Sequence, residues 1–270
     1  MTFGGPTPNY HARVRDLCQQ AAQMGVFTDI HGFTDQDLRD DPNFWPQHGD
    51  FLANHPRGYG YWLWKPYLIH RTLATLQDGD LLIYADAGCT LNPDGAARLA
   101  AYLELLRTNF FGMVAFRLTH PERHYTKRAL LDGMGTSADQ RASGQYMATV
   151  VMLKHTSYTL QFTRNWFNMG TFASYHWIND AHGQDPEDPA FRDHRHDQSL
   201  YSVLIKTYED SPDSPPICTL QDETWFHPRW SEDAQAQAFP FWATRNRCIP
   251  QTPDEQQTKV VRQTMRNMLF

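Results

Sequence analysis

The stretch Asp80-Leu-Leu-Ile-Tyr-Ala-Asp-Ala-Gly-Cys89 gives the clearest indication of the fold class. Leu81 to Tyr84 are apolar with little alternation, which is typical of a strand covered on both faces in an α/β sheet. Asp86 follows at the carboxyl end of that strand, where open α/β sheets bind ligands. Ala87 and Gly88 leave room for a large ligand to approach the backbone. The stretch therefore predicts an α/β fold with a ligand site at Asp86, whose carboxylate suits a divalent metal or a ribose hydroxyl.

An aromatic segment precedes this strand, Arg57-Gly-Tyr-Gly-Tyr-Trp-Leu-Trp-Lys-Pro-Tyr-Leu-Ile-His-Arg-Thr-Leu73. It begins with glycines, surrounds Lys65 with aromatic residues and runs into a predicted helix. Most of these rings are typical of a core helix, but burying an unpaired ammonium is costly. Lys65 therefore needs an anionic partner, from the protein or from a ligand phosphate. This requirement favours a binding site at Asp86 over the plain turn that Asp and Gly also form for local reasons.

Periodicity predicts the elements around these two stretches. Helices are expected at 13–24, 96–107 and 155–167, and further strands at 1–5, 27–33, 112–118 and 145–153. The basic segment 120–128 is expected as a loop or helix edge that faces the site. Residues 179–196 are rich in Asp, His, Gly and Pro, which is typical of a long surface loop.

Four motifs together resemble a known family. The segments Gly-Tyr-Trp-Leu-Trp-Lys-Pro at 60–66 (a YWxWKP motif) and Ile-Tyr-Ala-Asp-Ala-Gly-Cys at 83–89 (a DxG motif) resemble bacterial and viral glycosyltransferases of the GT-A type, which belong to capsule, O-antigen and other surface-glycan loci. Arg195-His-Asp-Gln-Ser-Leu-Tyr-Ser-Val-Leu-Ile-Lys206 is similar to the Asp-Gln helix start near the sugar in several GT-A families. Trp242-Ala-Thr-Arg-Asn-Arg247 is similar to the basic segment that closes the site.

The resemblance implies a fold and an activity. The fold is a GT-A-like single domain, with a mixed, mostly parallel central sheet flanked by helices and a Rossmann-like nucleotide-binding half. The activity is glycosyl transfer from a nucleotide-sugar donor, expected to be a UDP-sugar, to a glycan or lipid-linked glycan acceptor in surface polysaccharide synthesis.

The resemblance also implies roles for single residues. Asp197 is expected beside the anomeric carbon, as the base of an inverting enzyme, or with Gln198 as the stabiliser of an oxocarbenium-like centre in a retaining one. The alternative is that Asp197 only caps the helix that follows it. Lys65, Arg245 and Arg247 are expected to neutralise the leaving diphosphate. The full set of expected donor-binding residues is Thr2, Phe3, Lys65, Tyr84, Asp86, Ala87, Gly88, Arg245 and Arg247.

Asp86 and His227 are the expected metal ligands, with Mn2+ or Mg2+ as the ion. Gly88 stands where the usual Asp-x-Asp motif has its second carboxylate, so a metal-free mechanism stays open. His227 has a second interpretation as a half-buried hydrogen-bonding residue among aromatic neighbours. His182, His194 and His196 match no structural zinc spacing and are expected as side chains of a polar loop.

Length and composition agree with one large α/β domain over 1–270. The chain has 270 residues, 41% of them hydrophobic and 20% charged. We expect a nucleotide-sugar-binding half at 1–118, an acceptor and catalytic half at 119–250 and a C-terminal helix at 251–270. The formal net charge of -6 argues against nucleic-acid binding.

The scattered cysteines and the lack of a recognisable signal peptide or membrane span indicate a cytoplasmic protein with free thiols. The basic C-terminal helix is expected either as a peripheral contact with the inner face of the membrane or as a solvated helix.

Two other functions stay open. One is a non-catalytic nucleotide- or carbohydrate-binding protein on the same fold, for which the 13% of aromatic residues would serve sugar stacking. The other is a sugar-nucleotide hydrolase or nucleotidyltransferase. That class usually has a basic, glycine-rich phosphate loop near the N-terminus, and Thr2-Phe-Gly-Gly-Pro6 lacks the basic residue.

Overall fold

The computed structural model describes residues 1–224 and 237–245. His227, Arg247 and the predicted C-terminal helix lie outside these residues. The strands are β1 (Thr2–Gly4), β2 (Gly32–Thr34), β3 (Leu81–Ala85), β4 (Thr90–Leu91), β5 (Met113–Pro121), β6 (Gly144–Tyr146), β7 (Val150–Lys154), β8 (Cys218–Gln221) and β9 (Phe241–Trp242). The helices are α1 (Pro8–Met24), α2 (Asp35–Arg39), α3 (Trp45–Asn54), α4 (Gly58–Tyr61), α5 (Trp64–Leu73), α6 (Ala96–Thr108), α7 (Glu122–Tyr125), α8 (Arg128–Gly133), α9 (Ala138–Ala142), α10 (Ser157–Tyr175) and α11 (Asp197–Glu209), with a 3-10 turn at Pro93–Gly95.

The central sheet is mixed, and most of its strands share one direction. β1 and β2 pair in parallel. The Met1 amine donates to Ile83 O over 2.7 Å and Ala85 N donates to Met1 O over 3.1 Å, so the chain start lies parallel beside β3. β7 lies antiparallel between β3 and β5, and β5 also pairs in parallel with β8 and antiparallel with β6. Thus β1, β2, β3, β5 and β8 run one way and β6 and β7 oppose them. The predicted α/β class with a mixed, mostly parallel sheet flanked by helices is confirmed.

Both faces of the sheet are covered, as the apolar run in β3 predicts. Leu82 and Tyr84 point into a core cluster shared with α5, α10 and α11. Leu81, Ile83 and Ala85 pack into a second cluster with α1 and α6 on the other face. Because β3 and β5 share a direction, their carboxyl ends meet at one edge of the sheet. This edge carries the candidate site.

Two strand predictions need correction. The expected strand at 27–33 is wrong except at its end, because its partner β1 is only three residues long and offers a register to Gly32–Thr34 alone. The expected strand at 145–153 is two strands. β6 pairs with the end of β5 and β7 with its beginning, so the chain bends between them around Ala148.

Within the described part of the chain, no helix has the length and apolar character needed to cross a lipid bilayer. Three of the cysteines, Cys18, Cys89 and Cys218, are free thiols there.

Candidate active site

Three of the four motifs meet at the Lys65 ammonium. Lys65 lies in the first turn of α5 with 3% of its side chain exposed. Its Nζ lies 2.7 Å from Asp197 Oδ2 and 3.1 Å from Asp86 Oδ1, and it donates to Ala148 O over 3.3 Å. Burial and the positive end of the helix dipole both disfavour an ammonium here, so the two carboxylates are what stabilise it. The anionic partner that the sequence required comes from the protein.

Asp86 is the member of this cluster that faces solvent. It follows β3 directly, and 33% of its side chain is exposed, against 6% for Asp197. Tyr84, two residues earlier in the strand, donates its hydroxyl to Asp86 Oδ1 over 2.6 Å. Asp86 Oδ1 is therefore held by Tyr84 and Lys65 together. A substrate at the sheet edge reaches Asp86 before it reaches Asp197.

The loop after Asp86 is fixed through its carbonyl groups. The buried Arg13 guanidinium of α1 donates to Ala87 O over 3.2 Å and to Cys89 O over 2.8 Å. Thr244, from the fourth motif, donates to Gly88 O over 2.8 Å. β9 of the same motif pairs with β4 just beyond this loop. The fourth motif thus closes onto the Asp86 loop.

Asp197 opens α11, and its neighbour Gln198 connects it to the sheet. Trp166 of α10 donates its indole N–H to Asp197 O over 2.9 Å. Ala148 N donates to Gln198 Oε1 over 3.3 Å, and Gln198 Nε2 donates to Gln145 Oε1 over 2.7 Å. The predicted catalytic pair is therefore held by backbone and side-chain contacts from three directions.

A left-handed turn packs against the start of α11. Gly58 to Trp62 all have positive φ, between 53° and 80°. A left-handed helical turn costs about 1–2 kcal/mol for each non-glycine residue. The rings of Tyr61 and Trp62 stack on the His196 ring at centroid distances of 4.7 Å and 5.6 Å. His196 itself has φ 49° and ψ -114°. Strained backbone thus precedes both Lys65 and Asp197 in the chain, as is common at functional sites.

The histidines of the loop are not polar surface side chains, so that prediction is wrong for His194 and His196. They are 3% and 1% exposed. His196 Nδ1 lies 2.7 Å from Ile178 O, and because a carbonyl only accepts, this nitrogen carries the proton. Burial lowers the pKa of His196 to about 4 and that of His194 well below its usual value, so both rings are neutral at pH 7. His182 does lie in an exposed loop, 3.0 Å from Glu187.

The cluster of one ammonium and two carboxylates has an excess negative charge when all three groups are ionised. Burial lowers the pKa of Lys65, but the charges of Asp197 and Asp86 outweigh it and raise the pKa overall. Burial raises the pKa of Asp197 to about 6, although the Lys65 charge opposes this. The two directions agree physically, because one ammonium compensates only one of two neighbouring carboxylates. Burial and then Asp86 also raise the pKa of Tyr84, which stays a hydrogen-bond donor.

The other predicted donor-binding residues differ in how exposed their side chains are. Phe3 is 4% exposed and stacks on Trp64 at 3.9 Å, so it belongs to the core. Thr2 is 3% exposed, and within residues 1–224 and 237–245 its hydroxyl finds no hydrogen-bond partner. Arg245 is exposed, with φ 51°. Contact of Thr2, Phe3 and Arg245 with a nucleotide stays a prediction.

Among the described residues, no complete set of metal ligands forms at Asp86. These residues contain no group of three or more His, Cys, Asp or Glu side chains placed to hold a metal ion. Asp86 Oδ1 already accepts from Tyr84 and lies beside the Lys65 ammonium, which occupies the place of a cation. His227, the second predicted ligand, lies outside the described residues, so its role stays a prediction.

Sequence reasoning missed a group of residues beside Gln198. Arg195 stacks its guanidinium over the Tyr125 ring at 3.7 Å and donates to Gln145 Oε1 over 3.3 Å. Arg192 donates to the Tyr125 hydroxyl over 3.4 Å. The signals were the basic segment 120–128 and the arginine that begins the third motif, but nothing in the spacing showed that the two would meet.

No protein-family model matches this sequence, and no curated protein matches it either. Among solved structures, the chain is similar to a glycosyltransferase involved in the glycosylation of the major capsid of PBCV-1. This likeness has a TM-score of 0.46 at 9% sequence identity and covers 96% of this chain and 98% of that chain.

Proposed function

We propose that this protein is a GT-A-type glycosyltransferase that moves a sugar from a nucleotide-sugar donor, with UDP as the nucleotide, to a glycan or glycolipid acceptor in surface polysaccharide synthesis. One observation carries the proposal. Four motifs that lie far apart in the sequence converge on the Asp86 loop, through Lys65, Asp86, Asp197 and Thr244. A buried lysine between two carboxylates at the ligand-binding edge of an α/β sheet is costly to assemble for stability alone.

In this proposal the exposed Asp86 contacts the donor sugar or ribose, and Asp197 and Gln198 act at the anomeric centre. The Asp197 carboxylate, with a pKa of about 6, is largely ionised at neutral pH and suits a base that takes the acceptor proton. Lys65 holds the two carboxylates in place, since its charge is neutralised by them. The role of Lys65 is therefore positioning, and the leaving diphosphate needs other cations.

The metal remains part of the proposal only as a prediction. If Asp86 and His227 hold Mn2+ or Mg2+, the ion supplies Lewis-acid stabilisation of the leaving diphosphate. Arg245 and Arg247 are the alternative source of positive charge that the motif resemblance implies. A cytoplasmic location and a membrane contact through the C-terminal helix are proposed on the sequence alone.

A thermal-shift panel tests the proposal. UDP, GDP, CMP and their sugars are each added with and without Mn2+. A ligand that binds only the folded protein raises the melting temperature by mass action. We expect UDP and a UDP-sugar to raise it, and Asp86→Asn to reduce the shift. The absence of any shift across the panel would contradict the proposal.

Turnover separates the enzyme from the binding-only alternative. A transferase releases UDP slowly from its donor even without acceptor, because water takes the acceptor's place. A protein that binds the nucleotide sugar tightly but releases no UDP, with or without glycan acceptors, would be a binding protein.

A further inference from the structure

Two arginines and a histidine surround the Tyr125 ring beside the proposed site. Tyr125 ends α7, directly after β5. The Arg195 guanidinium lies over its face at 3.7 Å, Arg192 Nη1 lies 3.4 Å from its hydroxyl, and the His120 ring lies 5.3 Å from its centre. We call Tyr125, Arg192, Arg195 and His120 the tyrosine-centred cluster.

The backbone also holds this cluster in place. Arg195 N donates to Tyr125 O over 3.0 Å, and Arg192 N donates to His124 O over 2.8 Å. Ser199 of α11 donates its hydroxyl to Tyr125 O over 2.7 Å. The two arginines therefore have main-chain positions that are held in the segment before α11, so a ligand there orders mainly their side chains.

A continuous chain of hydrogen bonds links the cluster to the proposed catalytic residues. Arg195 Nη1 and Gln198 Nε2 both donate to Gln145 Oε1. Gln198 Oε1 accepts from Ala148 N, and Ala148 O accepts from Lys65 Nζ. The cluster and the acidic cluster around Lys65 are thus neighbouring parts of one surface at the carboxyl edge of the sheet.

The two neighbouring clusters have opposite charge. The Lys65 ammonium faces two carboxylates, which leaves an excess negative charge at Asp86 and Asp197. Two acids whose charges act on Arg195 have other partners, since Asp193 pairs with Arg57 at 2.9 Å and Glu122 pairs with Lys206 at 2.7 Å. Burial and the charges of Arg195, Arg192 and Arg245 lower the pKa of His120, although Asp222 opposes this. The charges that act on His120 are thus those of three arginines and one carboxylate.

We propose that the tyrosine-centred cluster is a phosphate-binding subsite, in which the Arg195 and Arg192 guanidinium groups hold a phosphate or diphosphate of the ligand. Arginine presents planar, paired donors that match phosphate oxygens. An anionic group is repelled by the Asp86–Asp197 side and attracted to this side, so the phosphate is held next to Gln198 with the sugar toward Asp86. Only the identity of the ligand as a nucleotide sugar depends on the proposed function; the phosphate-binding subsite itself does not.

Calorimetric titration with inorganic pyrophosphate tests the subsite without requiring turnover. We expect millimolar or tighter binding to the wild type that weakens with added salt. Arg192→Gln, an exposed position, is expected to weaken it at least about 10-fold, as loss of one charge-assisted hydrogen bond implies. Arg195→Gln is expected to weaken it at least as much. Arg164→Gln, an exposed arginine on α10, is the matched control and is expected to bind like the wild type.

Unfolding curves for each variant show whether the half-buried Arg195 is also needed for folding. If Arg195→Gln does not fold, the exposed Arg192→Gln variant still tests the subsite. Equal pyrophosphate binding in the wild type and in Arg192→Gln and Arg195→Gln overturns the proposal, as does no binding to the wild type.

A second titration identifies the source of the phosphate. If the subsite holds the donor diphosphate, both variants weaken UDP binding and leave uridine binding unchanged. If it holds an anionic group of the acceptor, UDP binding is unchanged and inorganic phosphate still binds to the UDP complex in an Arg192-dependent way. Pyrophosphate binding without any nucleotide binding would support the subsite while contradicting the proposed transferase, so the two failures are distinguishable.

Discussion

Helix α11 carries a buried lysine–carboxylate pair near each end, and the surroundings of the two pairs differ. Near its C-terminal end, Lys206 lies 2.7 Å from Glu122, with 3% and 0% of the side chains exposed. At its N-terminal end, Asp197 lies 2.7 Å from Lys65, with 6% and 3% exposed. The distance and the burial are nearly the same.

The partners of the carboxylates make the difference. Glu122 also accepts from Thr126 Oγ1 over 2.5 Å, from Gln145 Nε2 over 3.0 Å and from the Ser202 hydroxyl, so its oxygens are saturated by protein donors. The Lys65 pair instead has a second carboxylate, Asp86, which faces solvent. A saturated pair can only hold the fold together, whereas an unbalanced pair with one exposed carboxylate can bind a ligand.

Glu122→Ala breaks the structural pair and has the largest expected effect. It leaves Lys206 buried without its anion, so we expect a loss of about 3–5 kcal/mol in the free energy of unfolding, measured with urea. Glu104→Ala removes an exposed glutamate from α6 and is expected to change stability by less than about 0.5 kcal/mol. Equal stabilities of the two variants would contradict the comparison.

The pH dependence of stability sharpens the contrast at Asp197. The folded-state pKa of about 6 lies above the unfolded value of 3.8. The protonated Asp197 carboxyl therefore contributes stability that is fully present below about pH 4. This stability is lost as the pH rises through 6, by roughly 3 kcal/mol in all. The free energy of unfolding of the wild type minus that of Asp197→Asn should fall over this range. A difference that is flat from pH 4 to 7 would mean that Asp197 titrates normally.

Lys65→Met should affect turnover rather than only the fold. Without the ammonium, Asp86 and Asp197 repel each other and shift, and a displacement near 1 Å costs about 10²-fold in rate. The measurement is kcat/KM for UDP release. Lys154→Met lies at the opposite edge of the sheet, next to Leu81 in the β3–β7 register, and is expected to keep the wild-type rate. A Lys65→Met enzyme with full activity would remove Lys65 from the site.

Gly60→Ala tests the left-handed turn and has the smallest expected effect. Gly60 has φ 80°, and a Cβ there would lie 2.7 Å from Leu52 Cγ. We expect a loss of about 2–3 kcal/mol, of which about 1–2 kcal/mol is the left-handed backbone of a residue with a Cβ. Gly25→Ala is the control, since Gly25 has φ 63° with nothing within 4 Å, and should show the backbone part alone. Identical losses would show that the packing against Leu52 is unimportant.

The sequence predicted the parts of the site that depend on local chemistry. The apolar run in β3 predicted a strand covered on both faces, and the cost of burying Lys65 predicted an anionic partner. Which anion it would be depends on how β3 and α11 meet in the tertiary structure. The pairing of Lys65 with Asp86 and Asp197 was therefore beyond any local pattern.

The remaining errors have the same origin. His194 and His196 belong to a polar stretch of sequence, yet both are buried. His196 packs under Tyr61 and Trp62, which the left-handed turn at 58–62 positions, and His194 packs against His196. Two glycines were the only signal for that turn. The tyrosine-centred cluster joins α7 to the start of α11, and no spacing rule relates two segments about 70 residues apart.

Release of UDP from a UDP-sugar by the wild type, Asp86→Asn and Asp78→Asn tests whether Asp86 belongs to a nucleotide-sugar site. Asp78 precedes β3, and 92% of its side chain is exposed, so it is a matched carboxylate outside the site. We predict that the wild type and Asp78→Asn release UDP at the same rate and that Asp86→Asn is at least about 10²-fold slower. An Asp86→Asn variant as fast as the wild type, or a wild type that releases no nucleotide from any sugar donor, would contradict a nucleotide-sugar site at Asp86.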